Sequence, residues 1–326
     1  MIKLYSIAGI SLLFVMGVLL STANNTDETK SVVELLESKG LDYNSKKPNF
    51  DIAGVSAEAG EQLFHEGFSQ KPNGGKSKKQ SKHFVCTSCH NVEKEDPDLS
   101  VSDPQARLIY TNERGLPFLQ GTTMYGAVNR STYYNGDYDK KYGDLVKPAR
   151  NDIRGAIQLC ATECAQGREL KDWELESILA YLWTIDLKIE DIGLTEEEAS
   201  TMDIARIQAQ YLQGSPATFL PPPSDRKQGS GFIGDAGNGK LIYENSCLHC
   251  HYRGEYSFLH LDNSRLSFKH LKKNISKYSR HSLYQVTRWG VPVKSGKRSY
   301  MPQYTEERMS KQQLADLRAF IEQEAS

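Results

Sequence analysis

Apolar positions recur at helical spacing along this chain, and polar or Gly/Pro-rich stretches separate them. Gly60-Glu61-Gln62-Leu63-Phe64 and Gly239-Lys240-Leu241-Ile242-Tyr243 each read as the start of an amphipathic helix carrying an inward aromatic residue. Asp172 to Leu187 sets Trp173, Ile178, Leu179, Leu182 and Trp183 on one helical face, and Ser310 to Glu324 does the same with Leu314, Leu317, Phe320 and Ile321. Ser310 with Gln313 forms a capping box at the start of that last helix. Thr195 with Glu198 forms another, opening a helix predicted to reach about Gln213. The polar stretch 24–48 holds one short amphipathic piece, Val32 to Leu36, which reads as a tether or a surface helix. The pattern predicts a mainly α protein in which a helix-to-helix module occurs twice.

Pro221-Pro222-Pro223-Ser224 followed by Gly229-Ser230-Gly231 reads as a linker, stiff and then flexible. The expected organisation is therefore 1–23 as a signal peptide or membrane anchor, 24–55 as an extension, 56–190 as the first domain, 191–235 as a helix with a linker, and 236–326 as the second domain. Met1-Ile2-Lys3, an apolar run from Leu4 to Leu20 and then Ser21-Thr22-Ala23 carry the marks of a secretory signal, with cleavage after Ala23. The same run lies at the lower edge of what spans a bilayer, so an uncleaved anchor is the alternative. In either case the remainder is expected outside the cytoplasm, soluble in the periplasm or tethered to the inner membrane. The formal net charge of −1 implies no general attraction to nucleic acid.

The chemistry lies in Cys86-Thr87-Ser88-Cys89-His90 and Cys247-Leu248-His249-Cys250-His251. Each reads Cys-x-x-Cys-His, the pattern of covalent c-type haem attachment. Two thiols three positions apart reach the two vinyl groups of a haem as thioethers, and the next histidine ligates the iron. Cys86, Cys89, Cys247 and Cys250 are thus the attachment residues for two covalent haem c groups, with His90 and His251 on iron. A structural zinc shared by the two pairs would need them to meet in space and would leave both histidines unexplained. Cys247 comes four residues after Tyr243, whereas Cys86 comes 22 residues after Phe64. The extra segment, Gln70 to His83, holds Lys71, Lys76, Lys78, Lys79 and Lys82 with Gly74 and Gly75. It reads as a mobile basic loop, either simply solvated or a docking patch for an acidic redox partner.

The sixth ligands decide between electron carriage and substrate chemistry. For the second haem Met301, in Arg298-Ser299-Tyr300-Met301-Pro302, is the expected soft ligand. Met309 is a poorer candidate, and His260, His270 and His281 read as surface histidines. For the first haem the candidates are Met124 and the sulfurs of Cys160 and Cys164. These two cysteines also admit a disulfide if their segment is a loop rather than a helix.

The C-terminal module resembles class I cytochrome c, on Gly239/Tyr243, Cys247–His251, Met301-Pro302 and the final helix. An N-terminal and a C-terminal helix packed crosswise around the haem is what that resemblance implies, and for both modules. The segment Leu159-Cys160 through Gly167-Arg168 resembles the stretch that carries the cysteine ligand in di-haem thiosulfate dehydrogenases, with Cys164 where that family has serine. Residues 92 to 156 do not obviously match. This second resemblance implies Cys160 as ligand and catalytic residue, with Cys164 as its alternative, and a cationic surround of Arg150, Arg154, Lys147 and Arg168. Such cations would keep a thiolate charged and hold a sulfur oxyanion such as thiosulfate. Condensing two thiosulfates to tetrathionate releases two electrons, one for each haem. Three functions follow as expectations: an electron-carrying di-haem cytochrome working with redox partner proteins, a thiosulfate dehydrogenase or tetrathionate reductase, and a sensor or structural subunit of a larger respiratory complex. The stretch Tyr133 to Tyr142 reads as a lid or as plain surface.

Overall fold

The structure is a computed structural model, and it describes residues 30–254, 256–291 and 301–326. The expected signal segment 1–23 lies outside the described residues, as do Arg298, Ser299 and Tyr300. The described helices are α1 (Val32–Ser38), α2 (Ala57–Glu66), α3 (Pro104–Glu113), α4 (Ile153–Leu159), α5 (Asp172–Thr184), α6 (Glu196–Thr201), α7 (Ile204–Gln208), α8 (Ala236–Ile242), α9 (Arg265–Asn274), α10 (Leu283–Trp289) and α11 (Lys311–Glu324), with shorter turns between them. Among the described residues β structure is confined to isolated bridges. No helix there is long and apolar enough to cross a membrane.

Two crossed helix pairs organise the molecule: α2 against α5, and α8 against α11. Each crossing depends on a glycine. A Cβ built on Gly60 would lie 1.8 Å from the Ser177 carbonyl oxygen, and one on Gly239 would lie 2.0 Å from that of Asp316. Backbone therefore meets backbone at both crossings, and any side chain would force the helices apart. Four residues on, the aromatic of the first helix packs on the second: Phe64 on Tyr181 with centroids 5.5 Å apart, Tyr243 on Phe320 at 5.6 Å. The predicted helix starts and the capping box are present. Ser310 Oγ accepts from Gln313 N at 3.1 Å, and Gln313 Oε1 accepts from Ser310 N at 3.0 Å. At α2, Ser56 Oγ accepts from Ala59 N at 3.1 Å.

Three expectations are corrected. The piece at Val32 is not a tether: Val32, Val33 and Leu36 of α1 are buried in the same core as Leu63 and Leu179. Hydrogen bonds from Val32 N to Leu187 O (2.8 Å) and from Ile189 N to Lys30 O (3.0 Å) fasten it there. The helix expected from Thr195 to Gln213 breaks after Thr201, because Asp203 starts a new one by accepting from Arg206 N at 2.8 Å. The break lets Ala199 and Ile207 both reach the core. The Pro/Gly linker is not loose: Ala217 O accepts from Asp137 N at 2.8 Å, Phe219 packs on Tyr138 at 5.1 Å, and Arg226 bonds Gln285 at 2.9 Å.

The second core draws on the first half of the chain. Leu108 of α3 and Phe118 join Ile242, Tyr243, Phe268 and Phe320. Phe118 N donates to Asn245 O at 2.8 Å, and Gln313 Nε2 donates to Pro104 O at 2.7 Å. Part of the unmatched stretch 92–156 thus serves as the interface between halves.

Candidate haem sites

In the first half the backbone turns tightly at Cys86–Ser88, and His90 follows on the same wall. His90 Nδ1 donates to the Thr122 carbonyl at 2.6 Å; His251 Nδ1 donates to the Leu259 carbonyl at 2.8 Å. Burial lowers the pKa of both rings, so they are neutral, and the Nδ1–H bond leaves Nε2 as the lone-pair donor. Both motif histidines therefore present Nε2 as the atom able to donate a lone pair. Gly121 makes this possible in the first half, since a Cβ there would come within 2.7 Å of the His90 ring. Burial also pushes the Cys86 thiol up to about 11 and the Cys247 thiol up to about 12. Among the described residues no group of three or more His, Cys, Asp or Glu side chains could hold a metal ion, so the shared-zinc alternative has no site.

The loops that present these carbonyls return to the motif in similar but not identical ways. Two residues past Thr122, Met124 N donates to Asn91 O at 2.8 Å; two residues past Leu259, Leu261 N donates to His251 O at 3.0 Å. Met124 and Leu261 each stand two residues past the carbonyl that holds the motif histidine, but Met124 N bonds the residue after His90 whereas Leu261 N bonds His251 itself.

A large cavity opens over Cys86, Cys89 and His90. Its walls include Phe64, Met124, Tyr134, Tyr138, Cys160 and Cys164. The two cysteines are neither in a loop nor in a regular α-helix. Cys160–Cys164 is a π-helical turn continuing α4, closed by Ala165 N to Cys160 O at 2.8 Å. The wide turn lets both sulfurs face the cavity, and both are free thiols. The hydrogen bond from Cys160 draws the Cys164 thiol well below its ordinary range, against the effect of burial; the Tyr142 and Tyr134 hydroxyls, 3.5 and 3.8 Å from its sulfur, act in the same direction. These hydrogen bonds favour the thiolate form at Cys164, the form of cysteine that ligates metals. The tyrosine-rich stretch is wall rather than plain surface: Tyr134 meets Tyr138 edge-on at 5.3 Å, and Tyr138 stacks on Tyr142 at 6.1 Å.

The cations expected around Cys160 are engaged elsewhere, and none of them lines the cavity. Arg154 is bound by Glu176 (2.6 Å), Arg150 by Asp139 (2.7 Å), Arg168 by Glu174 (2.6 Å) and Lys147 by Asp144 (2.7 Å). Arg154 also donates to the Ser45 and Lys47 carbonyls, which makes it a clamp on the segment after α1. Lys141 is the cation on the cavity wall that acts on Cys164.

Sequence reasoning missed Glu95 and Arg308. Glu95 is fully buried and accepts from Asn91 Nδ2 (2.8 Å), Thr123 N (2.8 Å) and Arg308 Nη2 (2.7 Å), with Arg107 Nη1 at 3.7 Å. Burial alone would raise its pKa, but Arg308 and Arg107 hold it below the usual carboxylate range. Glu95 thus ties the neighbour of His90, the neighbour of Thr122 and the C-terminal half together. No spacing or motif flags these residues.

In the second half Cys247 and Cys250 lie on a π-helical turn and the short helix after it. Met301 pairs with Val291, N to O at 3.2 Å and O to N at 2.9 Å. Met309 is buried in the second core, while His260 and His270 are exposed.

The residues present fit covalent haem at the first site: paired thiols, a neutral histidine with its tautomer fixed, and an apolar cavity above them. No curated protein and no solved structure matches this chain. Residues 236–324 match the family model described as cytochrome c, so the chain carries a cytochrome c domain and with it a haem-based electron-transfer function.

Proposed function

We propose that the chain holds two covalent haems, on Cys86/Cys89/His90 and on Cys247/Cys250/His251, and transfers electrons between redox partner proteins in the periplasm. A bound haem supplies a one-electron Fe(III)/Fe(II) couple. The observation that carries this reading is repetition: a glycine-mediated helix crossing, an aromatic pair and a carbonyl-pinned histidine occur in both halves. Met301 is the proposed sixth ligand in the second half. Exposed Lys76, Lys78, Lys79 and Lys82, next to Gln80 and Val85 of the cavity wall, suit an acidic partner. The N-terminal apolar run supports export, whether by cleavage or as an anchor.

The decisive test is a pyridine haemochrome assay on secreted protein. Two haems per chain are expected, falling to one in Cys86→Ala/Cys89→Ala and to one in Cys247→Ala/Cys250→Ala. A wild-type value of one would end the di-haem reading.

A second reading, chemistry on small sulfur oxyanions, is favoured by the sulfurs of Cys160 and Cys164 on the cavity wall. Met124 lines the same cavity, so Met124, Cys160 and Cys164 are the candidate sulfur ligands, of which Cys160 is the proposed one. With Arg150 and Arg154 engaged, Arg130, Lys141 and Arg308 are the cationic side chains on the cavity wall toward which a dianion would be drawn. Cys160→Ala is expected to raise the first haem's midpoint potential by at least about 59 mV, a tenfold change in a one-electron equilibrium. If only Cys164→Ala does so, the ligand is the other sulfur. Thiosulfate oxidation followed with ferricyanide separates carrier from enzyme; a rate no greater than that of free haem removes the sulfur chemistry.

A further inference from the structure

The cavity over His90 is not closed by the first half alone. Pro302, Gln303, Thr305 and Arg308 of the C-terminal half line it as well. Arg308 is 7 % exposed, and its Nε has no partner in the protein. Its Nη2 donates to the carbonyls of Leu119 (3.1 Å) and Gly121 (2.6 Å), in the loop whose next residue, Thr122, orients His90. A smaller cavity adjoins the first, and Arg308 lines both together with Arg130. Arg130 donates to the Thr123 and Tyr125 carbonyls at 2.7 and 3.2 Å. Among the described residues no carboxylate lies within ion-pair distance of it.

The charge balance here is incomplete. Arg107 and Arg308 share Glu95 as their bonded carboxylate. Asp96 lines the smaller cavity; burial pushes it up to about 6, so it is still mostly charged at neutrality, and the guanidiniums of Arg107, Arg130 and Arg308 outnumber the carboxylates of Glu95 and Asp96 by one. A buried guanidinium with an unused N–H beside a cavity is costly unless an anion meets it. Planar guanidinium matches carboxylate.

Resting on the di-haem reading above, we propose that Arg308 of the C-terminal half, with Arg130, receives a propionate carboxylate of the first haem, so that the first haem site is completed across the interface and its potential is set in part by the other half. Arg308 acts here as a binding residue for the propionate and as a positioning residue for His90. A cation beside the haem favours the reduced, less positive iron, so removing it lowers the potential.

The test uses the full-length haem-loaded chain, with the first centre assigned from Cys247→Ala/Cys250→Ala protein. Arg308→Gln is expected to lower the first midpoint potential by at least about 59 mV, a tenfold change in the equilibrium, and to leave the second within a third of that shift. Arg308→Lys, which keeps the charge, is expected to restore most of it. Arg130→Gln, in a residue outside the Glu95 ion pair, is expected to lower the same potential and to keep the proposal testable should Arg308→Gln fail to fold. An unmoved first potential in Arg130→Gln and in any folded Arg308→Gln protein overturns the inference, as does an equal shift at both centres. In either case a haem count of two leaves the di-haem reading standing, and a count of one removes both.

Discussion

Glu95→Gln is expected to destabilise the haem-loaded protein by about 3–5 kcal/mol, the usual cost of removing one partner from a buried ion pair. The magnitude follows from what is left behind. Arg107 and Arg308 lose their shared carboxylate, and both are almost wholly buried, at 1 % and 9 % side-chain exposure. The amide oxygen can accept from only one of Asn91 Nδ2 and Thr123 N, which bond different carboxylate oxygens, so the side-chain shape survives while the charge and one of these hydrogen bonds do not. Urea unfolding followed at the haem absorbance measures the change; a loss under about 1 kcal/mol would show that the arginines find compensation elsewhere. A pH arm goes with it. The folded pKa of Glu95 lies below its unfolded value, near about 4.3, so its contribution is fully present above that value. It is lost as pH falls through the folded value. The acid sensitivity of wild type below about pH 4.3 is therefore expected to be blunted in Glu95→Gln.

Gly239→Val is the other substitution with a large expected effect. Its Cβ would sit 2.0 Å from the Asp316 carbonyl oxygen and 2.8 Å from Phe320 Cβ, and one of these is backbone with no rotamer to yield. Overpacking of side chains alone costs about 1–3 kcal/mol; here α8 must move off α11, so the loss is expected at or above that range. Because α8 runs through the π-helical turn straight into Cys247, the displacement reaches the attachment site. Secreted Gly239→Val protein is expected to carry one haem rather than two. Gly60→Val is its counterpart for the first site. Near-wild-type stability with full haem loading would mean that the crossings are not what hold the two halves.

The helices that frame the sites were legible because their signals are local. Ser310 and Gln313 sit one turn apart, the apolar face of α11 repeats at helical spacing, and Cys-x-x-Cys-His needs only five consecutive residues. The break at Met202–Asp203 was not legible, since Thr195 and Asp203 are both good caps and only packing of Ala199 and Ile207 chooses two helices over one. Arg150 and Arg154 looked like an anion surround because charge is visible in sequence while its partner is not. Glu176 and Asp139, the residues that engage them, are 22 and 11 positions away.

From its residues alone the chain declared a helical architecture and two Cys-x-x-Cys-His motifs, for these depend on patterns within a few turns. Folding decided which carbonyl holds each histidine, that Met124 joins Cys160 and Cys164 of the π-helical turn on one cavity wall, and that Glu95 and Arg308 join the halves. Those outcomes rest on backbone groups and charges brought together from distant positions. Burial makes their pairing obligatory, and no pattern in the primary structure records it.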